Sequence, residues 1–196
     1  MTAEEAVLPL VIGLGNPGPR YTHTRHNVGF DVVHEVAAFF HLEMKKRCLR
    51  PYAYAKIQDH SHLVVPLTYM NNSGKVLSYV KSWYTTVEDI VVVCDTLDLP
   101  PGMIRIKKGG SSAGHNGLKS MIAYAQSPQF IRIYVGIGRP VPPATVVEHV
   151  LSSADDEKER ELVQQGIVKA KNAVLDLLSG KKIEEVIHAY NRRNSS

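Results

Sequence analysis

Short apolar runs alternate with segments of helical periodicity along most of this 196-residue chain. Runs rich in β-branched and other apolar residues predict strands over residues 8–14, 52–58, 62–67, 90–94, 103–107 and 130–137. Apolar residues at helical spacing predict helices over 27–40, 74–84, 117–125, about 155–178 and 183–191. Strands that alternate with helices predict an α/β fold. We expect a single-domain three-layer sandwich, in which a mixed, mostly parallel central sheet has helices on both faces and a helical C-terminal part.

The length and composition suit one compact domain with a substantial core. We expect a disordered lead over 1–7, one domain over 8–191 and a basic, polar tail over 192–196. No run of about 18 apolar residues occurs, which predicts that no segment spans a membrane. The two cysteines, Cys48 and Cys94, fit a reducing compartment better than a disulfide scaffold. The sequence therefore predicts a cytoplasmic protein.

Positive charge is concentrated in short clusters, although the formal net charge is only +4. Lys45-Lys46-Arg47 and Arg50 form one cluster, Lys107-Lys108 a second and Arg192-Arg193 a third. Local positive patches of this kind could hold a polyanion such as RNA through its phosphates. For any single cluster, ordinary solvated surface charge is the alternative.

The first apolar run ends in Gly13-Leu14-Gly15-Asn16-Pro17-Gly18, which indicates a buried strand that breaks into a tight loop. Such a loop lets a ligand approach the backbone closely. Asn16 brings a neutral amide, and His26 a few residues later is the side chain most easily used as a base near neutral pH. The pairing indicates a hydrolytic site.

Two other interpretations of this loop stay open. The glycines satisfy the G-x-G-x-x-G pattern of dinucleotide sites, but Pro17 and Pro19 interrupt the helix that the pattern requires. Asp31 and Glu35 have the expected distance for its acidic residue, but they lie inside the next helical pattern. A purely structural turn followed by a surface histidine is the second alternative.

Three more polar segments follow predicted strands, over residues 66–74, 94–102 and 109–117. Open α/β sheets place their ligands outside the carboxyl ends of the strands. Together with residues 13–27, we expect these segments to form one rim and to enclose one pocket.

Five motifs in these four segments resemble those of bacterial-type peptidyl-tRNA hydrolases. They are GLGNPG and TRHN in the first segment, MN-x-SG in the second, D-x-LDLPPG in the third and GHNGLK in the fourth. Gly136-Ile137-Gly138-Arg139-Pro140 also matches, so the resemblance runs from about Val11 to Pro140. It implies a hydrolase domain that cleaves the ester between a peptide and the 3′ end of tRNA. It also implies that the partner is peptidyl-tRNA, held at the acceptor stem and 3′ end.

The chemistry can also be argued from residue types. Ester hydrolysis at neutral pH needs a base that deprotonates water and donors that hold the developing oxyanion. His26 is the candidate base, and Asp95, at the end of a buried apolar strand, is placed to hold its tautomer. The resemblance makes the same two positions the catalytic histidine and its aspartate partner. The alternative for Asp95 is a turn or cap residue, and Asp98 is a rival carboxylate whose neighbours favour a role in capping the turn.

Three asparagines, Asn16, Asn71 and Asn116, bring amides that donate and accept hydrogen bonds without carrying charge. Such groups can bind a peptide backbone whatever its side chains. The resemblance implies that they bind the peptide and the terminal adenosine. It also implies that Asn16, which we count with the catalytic residues, helps to distinguish blocked from free aminoacyl ends. Asn116 could instead cap the helix that follows it.

The remaining candidates are expected to bind the substrate and its tRNA. Tyr21 and Tyr69 either stack on the terminal bases or pack locally. The lysines and the arginine of the set are candidates for contacts with tRNA phosphates. The full set is Tyr21, Tyr69, Asn71, Asn116, His115, Lys107, Lys108, Lys119 and Arg139.

We expect no cofactor and no metal, and we expect the chain to act as a monomer. No Cys/His/Asp set with ligand spacing accompanies the histidines. Cys94 ends the Val91-Val92-Val93 run, which is typical of a small buried apolar residue rather than a nucleophile. Ser73 lacks the G-x-S-x-G context of a nucleophilic serine.

Three positions depart from the pattern that the resemblance leads us to expect. Thr96 stands where an acidic residue is usual, Ala113 where glycine is usual, and Tyr134 where a second arginine is common. Thr96 leaves Asp95 untouched, and we expect Ala113 to adopt a negative φ. Tyr134 would remove one phosphate contact.

Overall fold

A seven-stranded sheet of strand order β2-β3-β4-β1-β5-β7-β6 forms the centre of the computed structural model, which describes residues 9–57, 61–154 and 156–192. The strands are β1 (Leu10–Gly13), β2 (Lys45–Lys46), β3 (Tyr52–Ile57), β4 (Ser61–Pro66), β5 (Ile90–Thr96), β6 (Ile104–Lys108) and β7 (Ile131–Gly136). Strands β4, β1, β5 and β7 run parallel, so their carboxyl ends lie along one rim. Strands β2, β3 and β6 are antiparallel to their neighbours.

Helices cover both faces of the sheet. They are α1 (Val28–Phe39), α2 (Asn116–Ala125), α3 (Val146–Leu151), α4 (Glu157–Leu178) and α5 (Ile183–Arg192). On one face α1, α4 and α5 pack against a core that includes Val91 and Val93 of β5. On the other face α2 and a 3₁₀ segment pack against Val92 and Cys94. Because both faces are covered, β5 is a continuous apolar run, as the sequence indicated. The predicted α/β fold with helices on both faces is confirmed.

Glycine allows the start of α1 to approach the sheet very closely. A Cβ at Gly13 would lie 2.2 Å from the carbonyl oxygen of Gly29, and a Cβ at Gly29 would lie 2.4 Å from that of Val93. This approach holds the residues just before α1, including His26, above the ends of β1 and β5. Gly13 and Gly29 therefore serve the packing of helix against sheet.

One predicted helix was wrong, and one strand and one α-helix were missed. In place of a helix over 74–84, the chain forms 3₁₀ segments at Met70–Ser78 and Lys81–Trp83. A Cβ at Gly74 would lie 2.2 Å from the carbonyl oxygen of Ser120, so this backbone follows the surface of α2. Strand β2 and helix α3 were not predicted. Each is short, with two and six residues respectively.

Some predictions fall on residues outside the described ranges. These are the lead over 1–7 and residues 193–196 of the predicted tail. Within the described ranges, no helix combines the length and the apolar character needed to cross a bilayer.

Candidate active site

The four polar segments converge on the carboxyl-end rim, but the fourth arrives by an unexpected route. Strand β6 is antiparallel to β7, with Lys108 opposite Ile131, so β6 ends at the far rim. The segment that follows runs back along the sheet to bring His115 beside Asp95 at the end of β5. The expectation that each segment directly follows a strand end at the rim is therefore wrong for residues 109–117.

Asp95 lies between two imidazoles. Its Oδ1 is 2.7 Å from Nδ1 of His26 and 3.0 Å from Nε2 of His115. The carboxylate side chain is only 3% exposed, and the two histidine side chains are 12% and 10% exposed. The ring centroids of the histidines are 5.1 Å apart. The cluster is therefore a compact, largely desolvated charge site.

The hydrogen bonds fix the tautomers. The backbone N–H of Leu118 donates to Nδ1 of His115 at 3.2 Å, so that nitrogen carries a lone pair and the ring proton is on Nε2. His115 Nε2–H then donates to Asp95. A neutral His26 donates Nδ1–H to the same oxygen, which leaves its Nε2 as the free acceptor.

The charge of Asp95 depends on these neighbours. Burial on its own would raise the pKa of the carboxyl, but the imidazoles of His115 and His26 outweigh burial and hold the pKa of Asp95 well below its usual range. Asp95 is therefore ionised throughout the range in which histidine titrates.

His115 is predicted to bind substrate, and the structure shows that its Nε2 and Nδ1 both have partners within the protein. It caps α2, and Asn116 is already the first residue of that helix. The alternative in which Asn116 is the cap is therefore wrong, and its side chain is exposed to the site.

Asp98 does not compete with Asp95 for His26. Its Oδ1 accepts a hydrogen bond from the guanidinium of Arg139 at 2.6 Å, and both side chains are more than half exposed. The side chain of Asp98 therefore pairs with Arg139 instead of capping its own turn.

Asn16 is held on three sides. Its backbone N–H donates to the side-chain oxygen of Asn27, and its carbonyl accepts from the side-chain nitrogen of Asn27, both at 2.9 Å. Its own Oδ1 accepts from the backbone N–H of Met70 at 2.8 Å. Among the described residues Nδ2 has no partner, so the amide can present a donor to a ligand. The supporting role of Asn27 was not predicted.

Arg132 fixes the returning segment. Its side chain is fully buried, and it donates to the carbonyl oxygens of Gly110 and Ser111 and to the hydroxyl of Tyr134.

In this segment Ala113 has φ +46°, in the left-handed region that favours glycine. The expected negative φ at Ala113 is therefore wrong.

A cavity of about 380 Å³ opens beside the His26–Asp95 pair. One side is formed by the returning segment, and the other by apolar residues of α3. The wall includes Asp95, His26, His115, Asn116, Tyr134, Arg139, Val146, Val147 and Val150. A larger cavity of about 530 Å³ lies between α1 and α4, but its walls contain no predicted site residue.

Several predicted binding residues lie outside the smaller cavity. Tyr21 and Tyr69 make an edge-to-face contact with centroids 6.2 Å apart, and Tyr69 is 60% exposed. Asn71 and Lys119 are exposed at the surface. Lys108 forms an ion pair with Glu88. The two tyrosines therefore pack against each other, and this contact leaves much of Tyr69 exposed to solvent.

The arrangement narrows the possible chemistry. Burial, together with the Asp95 carboxylate, raises the pKa of the Cys94 thiol well above its usual range, so the thiolate is not formed at neutral pH. Ser73 is buried and donates to the carbonyl oxygen of Met70. His26, Asp95 and His115 offer three possible metal-ligand atoms within 4.8 Å of one another. Spacing along the sequence did not reveal this group, and both ring nitrogens that face Asp95 are engaged in hydrogen bonds to it.

Comparison with known proteins gives a consistent family. The family model described as peptidyl-tRNA hydrolase matches residues 10–196. The peptidyl-tRNA hydrolase of Halalkalibacterium halodurans is 41% identical over 187 residues, covering 94% of this chain and all of that protein. That of Moorella thermoacetica is 38% identical over 95% of this chain and 99% of its own length. The crystal structure of peptidyl-tRNA hydrolase from Acinetobacter baumannii superposes with a TM-score of 0.83 at 35% identity, covering 98% of this chain and 97% of that one.

Proposed function

This chain belongs to the peptidyl-tRNA hydrolase family, and we propose that it hydrolyses the ester that joins a peptide to the 3′ end of tRNA, with water as nucleophile and His26 as base. The observation that carries the mechanism is the 2.7 Å contact between Asp95 Oδ1 and His26 Nδ1. It leaves Nε2 of His26 as the proton acceptor, in a site that is largely closed to bulk water.

The reaction proceeds in two steps. His26 Nε2 takes a proton from water as the water oxygen bonds to the ester carbonyl carbon, which places a negative charge on the carbonyl oxygen. The intermediate then collapses and its bond to the ribose 3′ oxygen breaks. The imidazolium returns the proton to that leaving oxygen. The products are a free tRNA and the peptide carboxylic acid, which then loses its proton to solvent to give the carboxylate.

Asp95 acts on the imidazole and not on the substrate. It holds the Nδ1–H tautomer of His26 and stabilises the imidazolium that forms in the first step. His115 donates to the same carboxylate oxygen and so keeps Asp95 in place. We therefore assign His115 a positioning role.

Asn16 supplies a donor to the substrate. Asn27 fixes the backbone of Asn16, and the backbone N–H of Met70 fixes its Oδ1. Nδ2 is then left to donate to a carbonyl oxygen of the bound peptide, such as that of its first peptide group. A free aminoacyl end lacks that peptide group, so Asn16 would favour blocked substrates. Asn71 and Asn116 are exposed and would bind further peptide or the terminal adenosine.

Contacts with the tRNA are assigned to exposed basic residues. Lys107 and Lys119 have no carboxylate within 4.0 Å in the described part of the chain, and both are exposed. Lys108 and Arg139 would have to exchange Glu88 and Asp98 for phosphate. We further propose that the protein is a cytoplasmic monomer. We also propose that it needs no cofactor, because water and the side chains above supply every group in the reaction.

One assay tests the proposal: release of a labelled N-acetylated amino acid from tRNA, compared with release of the same amino acid unblocked. We expect rapid release from the blocked form only. His26→Ala is the matched control, and it should lose about 10²–10⁴-fold in turnover while still binding tRNA and unfolding cooperatively. If the wild-type protein binds tRNA but releases neither amino acid, it is a non-catalytic RNA-binding relative and the proposed activity is wrong.

A further inference from the structure

The turn between β2 and β3, residues 47–51, lies on the same rim as the active site. Tyr52 at the start of β3 pairs with Pro66 at the end of β4. The backbone N–H of Leu67 donates to the carbonyl oxygen of Pro51 at 2.7 Å. The segment that begins at Leu67 continues to Met70, whose N–H holds Asn16. The turn is therefore connected to the active site by the hydrogen bond between Leu67 and Pro51 and by the short segment from Leu67 to Met70.

The turn and β2 carry positive charge, and no acidic side chain in the described part of the chain forms an ion pair with it. Lys45, Lys46, Arg47 and Arg50 are all exposed, and none has a carboxylate within 4.0 Å among the described residues. Other basic residues at the surface do have such partners, including Lys108 with Glu88 and Lys181 with Asp176. We call these four residues the hairpin cluster.

The guanidinium groups of the arginines at this rim lie against tyrosine rings. The guanidinium carbon of Arg50 lies 5.0 Å from the ring centroid of Tyr79, and that of Arg47 lies 5.9 Å from Tyr54. In the loop that follows β1, the guanidinium carbon of Arg20 lies 5.9 Å from the ring centroid of its neighbour Tyr21. A ring orients the flat face of a guanidinium but leaves its N–H groups, which lie in its plane, free to donate. These arginines are therefore oriented without being neutralised.

We propose that the hairpin cluster binds backbone phosphates of the tRNA part of the substrate; this inference rests on the proposed function. Strand β2 lies three strands from β1, or about 14 Å at the usual spacing of roughly 4.8 Å. A nucleic acid strand covers that distance in about four nucleotides at roughly 3.4 Å each. The cluster would therefore contact phosphates a few nucleotides from the ester, in the acceptor arm.

The charge pattern favours RNA over the peptide as the occupant. A peptide of variable sequence offers no regular negative charge, whereas every nucleotide of the acceptor arm carries one. Arginine donors arranged in a plane match the oxygens of a phosphate group. Tyr69, two residues after the Leu67 that donates to Pro51, is 60% exposed.

The test is a pair of charge-matched double variants. Arg47→Ala/Arg50→Ala removes two charges from the hairpin cluster, and Lys181→Ala/Lys182→Ala removes two exposed charges between α4 and α5. Binding of deacylated tRNA is measured over a range of salt concentrations, and hydrolysis of N-acetyl-aminoacyl-tRNA is measured at steady state. For the hairpin variant we expect the slope of log affinity against log salt to fall by roughly 0.7–0.9 for each phosphate that the protein no longer neutralises. Its KM should rise several-fold at unchanged kcat.

Arg47→Lys/Arg50→Lys should keep most of the salt slope, because the charge is retained. An unchanged slope and KM in the alanine pair would overturn the proposal. An equal fall in both alanine pairs would also overturn it, because the effect would then follow net charge and not this surface. If the wild-type protein fails to hydrolyse the ester, the proposed function is wrong, whereas the binding measurement still decides on the hairpin cluster.

Discussion

Both carboxylate oxygens of Glu159 accept hydrogen bonds from the guanidinium of Arg25, at 2.8 and 2.7 Å, although the two residues are 134 positions apart. The side chain of Arg25 is 1% exposed, and it also donates to Ser152 and to the carbonyl oxygen of Ser153. Arg25 directly precedes His26. The pair therefore fixes the loop that carries His26 to the first turn of α4, and the contacts with Ser152 and Ser153 fix the same loop to the segment that follows α3, the helix that contributes the apolar wall of the cavity.

Glu159→Ala should destabilise the fold by about 3–5 kcal/mol, because it leaves the buried charge of Arg25 without its main partner. Chemical denaturation would measure this loss. Lys171→Ala is the control: it breaks the partly exposed 3.6 Å pair with Glu35 and should cost about 1 kcal/mol or less. Equal effects of the two changes would show that the Arg25 pair has no special structural weight.

Ala113→Gly should stabilise the protein by about 1 kcal/mol. An L-residue in the left-handed region costs roughly 1–2 kcal/mol, and glycine removes that cost at φ +46°. Ala123→Gly, on the exposed face of α2, makes the same chemical change and should destabilise by about 1 kcal/mol. Thermal unfolding of the two variants should therefore shift in opposite directions, and a shift in the same direction would argue against strain at Ala113.

Asn16→Ala should reduce turnover and also narrow the preference for blocked over unblocked aminoacyl-tRNA. The reason is that Nδ2 of Asn16 is the donor that a blocked substrate can use, and removing a hydrogen bond in a closed site costs about 1–3 kcal/mol. The ratio of the two activities is the measurement. A ratio equal to that of the wild type would place discrimination elsewhere.

Lys107→Ala/Lys108→Ala should weaken tRNA binding and flatten its salt dependence, by roughly 0.7–0.9 in slope for each phosphate that is left without its lysine. Hydrolysis at saturating substrate should change little. The single variants should differ, because Lys108 already pairs with Glu88 whereas Lys107 has no such partner among the described residues. If neither changes the slope, both lysines are ordinary surface charge.

Local pattern was enough to predict much of the fold and part of the site. The apolar run that ends at Cys94 predicted both the central strand and the position of Asp95, because a buried parallel strand presents its next residue at the rim. Helix α3 was missed, although Thr145 and Glu148 form a capping box whose T-x-x-E spacing is visible in the sequence. That signal would have located the wall of the cavity.

The remaining features depend on contacts between distant parts of the chain. Three of these contacts form only after the sheet and helices have packed. They join Asn16 to Asn27, Arg132 to the backbone of residues 110–111, and Arg25 to Glu159. The place of His115 depends on the antiparallel direction of β6, which a short apolar run does not reveal. The residue types therefore indicated which side chains could take part in hydrolysis, whereas the direction of the strands determined which of these side chains lie together.

The most direct test of the mechanism is NMR titration of the His26 ring in the wild-type protein and in Asp95→Asn, with the resonance assigned by its loss in His26→Ala. The pKa of Asp95 lies well below its usual range, so the wild-type carboxylate is charged wherever the ring titrates and it stabilises the protonated ring. Asparagine removes that charge, and the midpoint of the ring titration should move to lower pH. The base must be neutral to act, so the rising limb of activity should move the same way. Turnover should fall on the order of 10²–10⁴-fold. Identical titrations in the two proteins would contradict the assignment of Asp95 as the partner of His26.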